Sequence, residues 1–304
     1  MRTIAGFGTG GTMIDFNEEW KQLQLTRAPL KNSAHWTKKS ARYDSKDKRN
    51  LYAEAFLDLA NVQPGDVIFD MGCGTGALAV PLAKAGHEVY AADFSDGMLA
   101  KLGENMAINN VDSITPIKMS WGDDWGAYGI EDNMADIAIA SRSIAVADLE
   151  GALVKLTRTA RRRCCITLTT GTSPNVDPRL LKAIGVPVSP TRDYLYAFGI
   201  LAQQGFEPTV DYIHSTRKDT FDTQAEALED FTRMIDASNP SMPAPEREAA
   251  VARLDAWLSE HIVENPDAGM PDKKGVPEGL LCLDVLRVVS WAFIAWDTQI
   301  DSPY

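Results

Sequence analysis

The sequence contains no run of about 18 uninterrupted apolar residues, the length a membrane-crossing helix needs, and its first residues lack a basic stretch followed by an apolar one. These two absences predict a chain without membrane segments that resides in the cytoplasm. Cysteine is scarce. Cys73, Cys164, Cys165 and Cys282 show no Cys-x-x-Cys spacing and have only 4 histidines for company, which argues against a zinc site or a disulfide framework and for buried free thiols. Positive charge is also short, with 30 Lys and Arg against 42 Asp and Glu. A net charge of −12 repels the phosphates that nucleic-acid-binding proteins neutralise with cations, so the expected partner is a small molecule and not nucleic acid. The one basic run, Arg161-Arg162-Arg163, stands between a helical pattern and an apolar one, and the affinity of helix C-termini for cations makes it a predicted helix cap.

What is present is enough apolar residue, 45% of a 304-residue chain, to bury a substantial core. Residues 1–12 are glycine-rich without periodicity, and Gly6-Phe7-Gly8-Thr9-Gly10 has no strand before it, so it does not qualify as a nucleotide loop. Residues 14–60 alternate short helical patterns with polar breaks. From residue 66 onward the pattern alternates: strands at 66–71, 88–92, 114–119, 135–140 and 164–170, helices at 76–85, 96–109 and 149–160. Strands separated by single helices of this length predict right-handed βαβ units and a parallel sheet with helices on both faces. Beyond Thr170 the rhythm breaks. A helix at 193–204, a strand at 209–215, two amphipathic helices within 222–262, a polar loop at 265–279 and one or two buried strands within 280–296 complete the chain.

The chemistry concentrates in Asp70-Met71-Gly72-Cys73-Gly74-Thr75-Gly76, where an apolar strand ends in an acid and alternate glycines lead into a helix. Glycine suits a place where a ligand approaches the backbone more closely than any Cβ permits, and the carboxyl end of a strand is where open α/β sheets bind ligands. The spacing also satisfies a dinucleotide fingerprint. However, a pyrophosphate at a helix N-terminus needs donors and no adjacent anion, whereas Asp70 suits a cationic ammonium. The next strand ends in Asp93-Phe94, a carboxylate placed to accept from ribose hydroxyls, and Gly122-Asp123-Asp124-Trp125 after the third strand offers an acid and an aromatic ring to an adenine.

Taken in order, these segments resemble the class I methyltransferase family that uses S-adenosylmethionine (SAM), over roughly residues 50–170. The resemblance implies a doubly wound, seven-stranded, mostly parallel α/β sheet (the Rossmann-like methyltransferase fold) with a helical N-terminal lid and helical insertions. It implies SAM as cofactor and S-adenosylhomocysteine (SAH) as product, bound by Asp70, Gly72, Cys73, Gly74, Gly76, Asp93, Phe94, Asp123, Asp124, Trp125 and Ser141. Within that set Asp70 and Gly72 would take the methionyl part, Asp93 the ribose and Asp123 the adenine. The corresponding domain map is a lid at 1–60, a core at 61–221 carrying a cap insertion at about 171–205, a helical insertion at 222–278, and final core strands at 279–304.

The acceptor is less legible. After the fourth strand the chain reads Ala140-Ser141-Arg142-Ser143, without the Asn-Pro-Pro-Tyr type of motif that marks many nucleic-acid amino-methylating members. Ser141 and Arg142 are candidates beside the transferred methyl group, Arg142 as a holder of an anionic substrate or as a partner of Asp148. His35 and Tyr43 in the lid are candidate acid–base groups. The expected activity is methyl transfer to an O, N, S or C nucleophile of a small molecule. The alternatives are an NAD-dependent oxidoreductase and a SAM-binding protein without catalysis.

Overall fold

The described residues of the computed structural model are 14–27, 32–40, 50–172, 176–188, 192–272 and 275–299; the candidate Tyr43 lies outside them. The chain opens with helices α1 (Phe16–Leu25), α2 (Ser33–Ser40) and α3 (Leu51–Ala60). It then alternates β1 (Ile68–Met71), α4 (Ala79–Lys84), β2 (Val89–Asp93), α5 (Asp96–Asn109), β3 (Ile114–Lys118), β4 (Ala135–Ser141), α6 (Leu149–Thr159) and β5 (Ala160–Thr169). After α7 (Pro178–Ala183) and α8 (Asp193–Gln203) come β6 (Thr209–Arg217), β7 (Thr220–Phe221), α9 (Gln224–Ser238), α10 (Ala244–His261), β8 (Ile262–Glu264), β9 (Leu281–Leu283) and β10 (Arg287–Asp297).

Seven strands form one sheet in the order β3-β2-β1-β4-β5-β10-β6, parallel from β3 to β5, with β10 antiparallel to both of its neighbours. This is the doubly wound, mostly parallel sheet the sequence predicts, and its apolar strands are buried because helices cover both faces. On one face Phe69, Trp296 and Ile294 pack with Leu153 of α6, Ile200 of α8 and the wholly buried Trp20 of α1. On the other, Ile68 and Phe293 pack with Phe56 of α3, Leu82 of α4 and Leu102 of α5.

A second layer was not foreseen. β7, β9 and β8 make a separate three-stranded antiparallel sheet, and α7, α9 and α10 bury Leu181, Phe231 and Leu254 in a third core. Strands of two or three residues lie below the length at which alternation can be recognised, so the sequence showed the two helices within 222–262 and a strand pattern within 280–296 but not the small sheet.

The basic run requires a correction. Arg161, Arg162 and Arg163 do not cap α6, which ends at Thr159; they begin β5. Their charges are met along the amino-terminal edge of the sheet, Arg161 by Asp136 at 2.7 Å, Arg162 by Asp66 at 2.5 Å and Arg163 by Asp297 at 3.0 Å. Helix passes to strand without a loop, so a pattern-based boundary slid by a few residues. No described helix is long and apolar enough to cross a membrane, and the described residues contain no group of three or more His, Cys, Asp and Glu placed to hold a metal.

Candidate functional site

Strand order reverses between β1 and β4, and the carboxyl ends of these two strands open the crevice in which such sheets take ligands. Asp70, next to last in β1, is only 2% exposed. Its Oδ2 has no hydrogen-bond partner among the described residues. Burial first, and the charge of Asp93 second, push its carboxyl up to about 7. A buried acceptor oxygen without a donor is costly unless something supplies one.

After Met71 the chain turns sharply, with Gly72 at φ +78°. The Gly72 and Cys73 amides both donate to the Ala92 carbonyl, at 2.7 and 3.0 Å, which holds the loop against β2. A Cβ on Gly72 would stand 2.3 Å from the Cβ of Ser143, whose hydroxyl donates to the Met71 carbonyl at 2.6 Å. The loop is thus pressed against the residues following β4. The Cys73 thiol is pushed well above its usual range by burial and then by Asp70 and Asp93, so it is a poor nucleophile.

Asp93 closes the far side of the loop. Its Oδ2 accepts from the Gly74 amide at 3.0 Å and its Oδ1 from the Ser95 amide at 2.9 Å. Burial raises its pKa in spite of these hydrogen bonds. Above this turn lies α2: Ser33 Oγ donates to the Phe94 carbonyl at 3.3 Å, and the Gly97 amide donates to Thr37 Oγ1 at 3.3 Å. His35 sits on that helix, exposed, with its ring edge-on to Trp36.

After β3, Asp123 accepts from the Ser120 amide at 2.8 Å, and that hydrogen bond heads the causes lowering its pKa. Asp124 accepts from the Gly126 amide and caps a short 3-10 turn at Trp125–Tyr128. The Trp125 ring is buried in the core against Phe69, whereas Trp121 beside it is half-buried.

At the end of β4 a compact group forms that the sequence reading did not assemble. The Tyr52 hydroxyl lies 2.7 Å from Ser141 Oγ and 2.8 Å from Thr167 Oγ1. Thr167 Oγ1 in turn accepts from the Arg142 amide at 3.0 Å. The Arg142 Cζ lies 4.1 Å from the centre of the Tyr52 ring and 5.8 Å from that of Trp291, within cation–π range of both. Asp148 instead caps α6 by accepting from the Gly151 amide, so the alternative of an Arg142–Asp148 ion pair is not realised. The five residues come from α3, from β4 and the position after it, from β5 and from β10; Thr167, a hydroxyl set in the apolar strand of β5, is the local sign of a buried polar cluster.

Beyond the end of β5, whose Thr169 pairs in register with Trp291, a cleft of about 790 Å³ opens between α1 and the α9–α10 connection. Thr169, Thr172, Arg27, Asp193 and Ser238 line it, and Ser238 Oγ is buried without a hydrogen-bond partner among the described residues. Arg27 and Asp193 answer each other across two hydrogen bonds, of 2.5 and 3.1 Å.

Comparison with known proteins adds to this geometry. A family model described as a methyltransferase domain matches residues 68–163. An uncharacterized protein of Haemophilus influenzae is 31% identical over 222 residues, which span 72% of this chain and 80% of that one. A tRNA (guanine(37)-N(1))-methyltransferase of Phytophthora infestans is 35% identical over 83 residues, 26% of this chain and 20% of the relative. Among solved structures, a phosphoethanolamine N-methyltransferase 2 of Haemonchus contortus shares 15% identity, with 94% of this chain and 60% of that one covered at a TM-score of 0.47.

Proposed function

The chain belongs to the class I SAM-dependent methyltransferases, and from that premise we propose that it methylates a small molecule held in the cleft beside β5. The observation that carries the cofactor half of this reading is the buried Asp70 oxygen that has no donor among the described residues, at the end of β1 where the glycine loop begins. Two buried carboxylates, Asp70 and Asp93, suit a cofactor bearing an ammonium and a sulfonium, and they would repel a diphosphate. For that reason the NAD reading is not favoured.

When bound, the sulfonium supplies an electrophilic methyl group, and transfer to a nucleophile leaves SAH. The chain's own contribution is position and exclusion of water. We assign the ammonium to Asp70, the close backbone approach to Gly72, Gly74 and Gly76 with Cys73, the ribose to Asp93 beside Phe94, and the adenine side to Asp123, Asp124 and Trp125. Ser141 and Arg142 are assigned to the acceptor side. His35 is exposed on α2, the helix whose Ser33 and Thr37 touch the turn after Asp93.

The small-molecule half rests on the cleft, whose volume is that of an ordinary ligand pocket, and on the acidic charge of the chain, which disfavours RNA. The test is incubation with isotopically labelled SAM and a small-molecule extract, with transfer RNA and ribosomal RNA in parallel. Labelled product among the small molecules supports the reading; label confined to RNA, or none anywhere despite SAH binding, overturns it.

Asp93→Ala tests the nucleoside assignment. It removes the acceptor for ribose hydroxyls and also the ties to the Gly74 and Ser95 amides, so SAH should bind about 10- to 100-fold more weakly, the scale of hydrogen bonds to a charged group. Calorimetry that finds wild-type affinity would remove Asp93 from the site.

A further inference from the structure

We propose that Arg142 selects the acceptor by binding an anionic group on it, a carboxylate or a phosphate; this deepens the reading of the cleft as an acceptor site and rests on it. The first support is backbone conformation. Arg142 has φ +57°, a left-handed conformation that is uncommon and strained for a side chain of this kind. Asn61, Asn110 and Asn133 share this geometry among the described non-glycine residues, and asparagine tolerates it. An arginine in their place indicates a position held for something other than stability.

The second support is the guanidinium's surroundings. Its Cζ lies over the Tyr52 ring, with the Trp291 ring also within cation–π range. The guanidinium donates no hydrogen bond to any described residue, and its N–H donors are the part of arginine that recognises carboxylate and phosphate in a two-pronged fashion. No described carboxylate lies within ion-pair distance of them. Most of the described arginines pair with a carboxylate, Arg158, Arg161, Arg162 and Arg163 among them. In a chain with 42 acidic residues, an arginine at the mouth of the crevice without one is available to a ligand.

The third support is location. The Arg142 amide is fixed by Thr167, and the next residue, Ser143, is the one pressed against Gly72. On the other side Trp291 pairs in register with Thr169, which lines the cleft. An anion gripped at Arg142 is therefore placed between the glycine loop and the cleft, and it anchors the acceptor on the side where its nucleophile must meet the donor.

Arg142→Gly is the informative variant, since glycine accepts the left-handed backbone without strain and the protein should fold at least as stably. SAH should stabilise wild type and variant alike. With SAH present, benzoate or phenyl phosphate should raise the melting temperature of the wild-type protein and leave Arg142→Gly unmoved, while benzyl alcohol moves neither. Which of the two anions acts distinguishes a carboxylate acceptor from a phosphorylated one. The labelled products of the extract should elute in the anionic fraction, with KM raised about 10- to 100-fold in Arg142→Gly and also, more modestly, in Arg142→Lys. Wild-type protein that binds SAH but responds to neither anion, equal response in Arg142→Gly, or labelled products confined to neutral and cationic fractions would each overturn the proposal. Absence of any SAH stabilisation would instead indict the cofactor assignment.

Discussion

Asp70→Asn should reduce SAH affinity by about 100- to 1000-fold, the cost of removing one partner from a buried charge pair, while making the ligand-free protein more stable at neutral pH. Both effects come from one cause. Burial and the Asp93 charge hold the Asp70 carboxyl up at about 7, against an ordinary value of 3.8. Below about pH 4 the group is protonated in the folded and unfolded chains alike and costs nothing. Between about pH 4 and 7 the unfolded chain releases the proton while the folded one keeps it, so stability falls as pH rises. Above pH 7 the full penalty applies, on the order of 2–4 kcal/mol. Asparagine keeps the shape and removes the charge, so its melting temperature should exceed wild type at pH 8 and converge with it near pH 4. The same titration governs binding. An ammonium needs the ionised carboxylate, so wild-type affinity for SAH should fall about tenfold per pH unit below 7, and Asp70→Asn should lack this dependence. Native SAH affinity in the variant, or a wild-type affinity flat from pH 5 to 8, would detach Asp70 from the ligand.

How much of this was legible without coordinates depended on whether the determinant was local. The strand, acid and alternate glycines of residues 67–76 are a local pattern, and with the strand–helix alternation that follows they led to a doubly wound, mostly parallel sheet with its expected ligand loop at the end of the first strand. Asp93 was placed by the end of β2, again a local boundary. The Arg142 group is different. Tyr52 and Thr167 are separated by 115 residues along the chain, yet share a hydrogen bond of 2.8 Å, and no periodicity reports such a meeting. Trp291 reads as ordinary core on an apolar strand because its neighbour in β10 and its neighbour across the sheet look alike in one dimension. Arg161, Arg162 and Arg163 misled for a related reason. Their carboxylate partners lie on other strands and on the loop preceding β1, so a local argument assigned them to the nearest helix end.

Gly72→Ala should destabilise the fold by about 2–4 kcal/mol and lower SAH affinity with it, although a single methyl is the smallest side chain that could be added. Two costs combine. At φ +78° an alanine carries left-handed strain of about 1–2 kcal/mol. The new Cβ would also meet the Ser143 Cβ at 2.3 Å and its Oγ at 2.6 Å. Neither is the loose end of a long side chain, because the serine hydroxyl is committed to the Met71 carbonyl. Relief therefore requires the β1 and β4 ends to separate, which is the overpacking penalty of about 1–3 kcal/mol. The double variant Gly72→Ala/Ser143→Gly removes the obstruction and leaves only the backbone strain. In a thermodynamic cycle measured by urea denaturation, the pair should show a favourable coupling of at least about 1 kcal/mol. Strictly additive single-variant costs would mean that these two chain ends do not touch, and the crevice built on their contact would have to be redrawn.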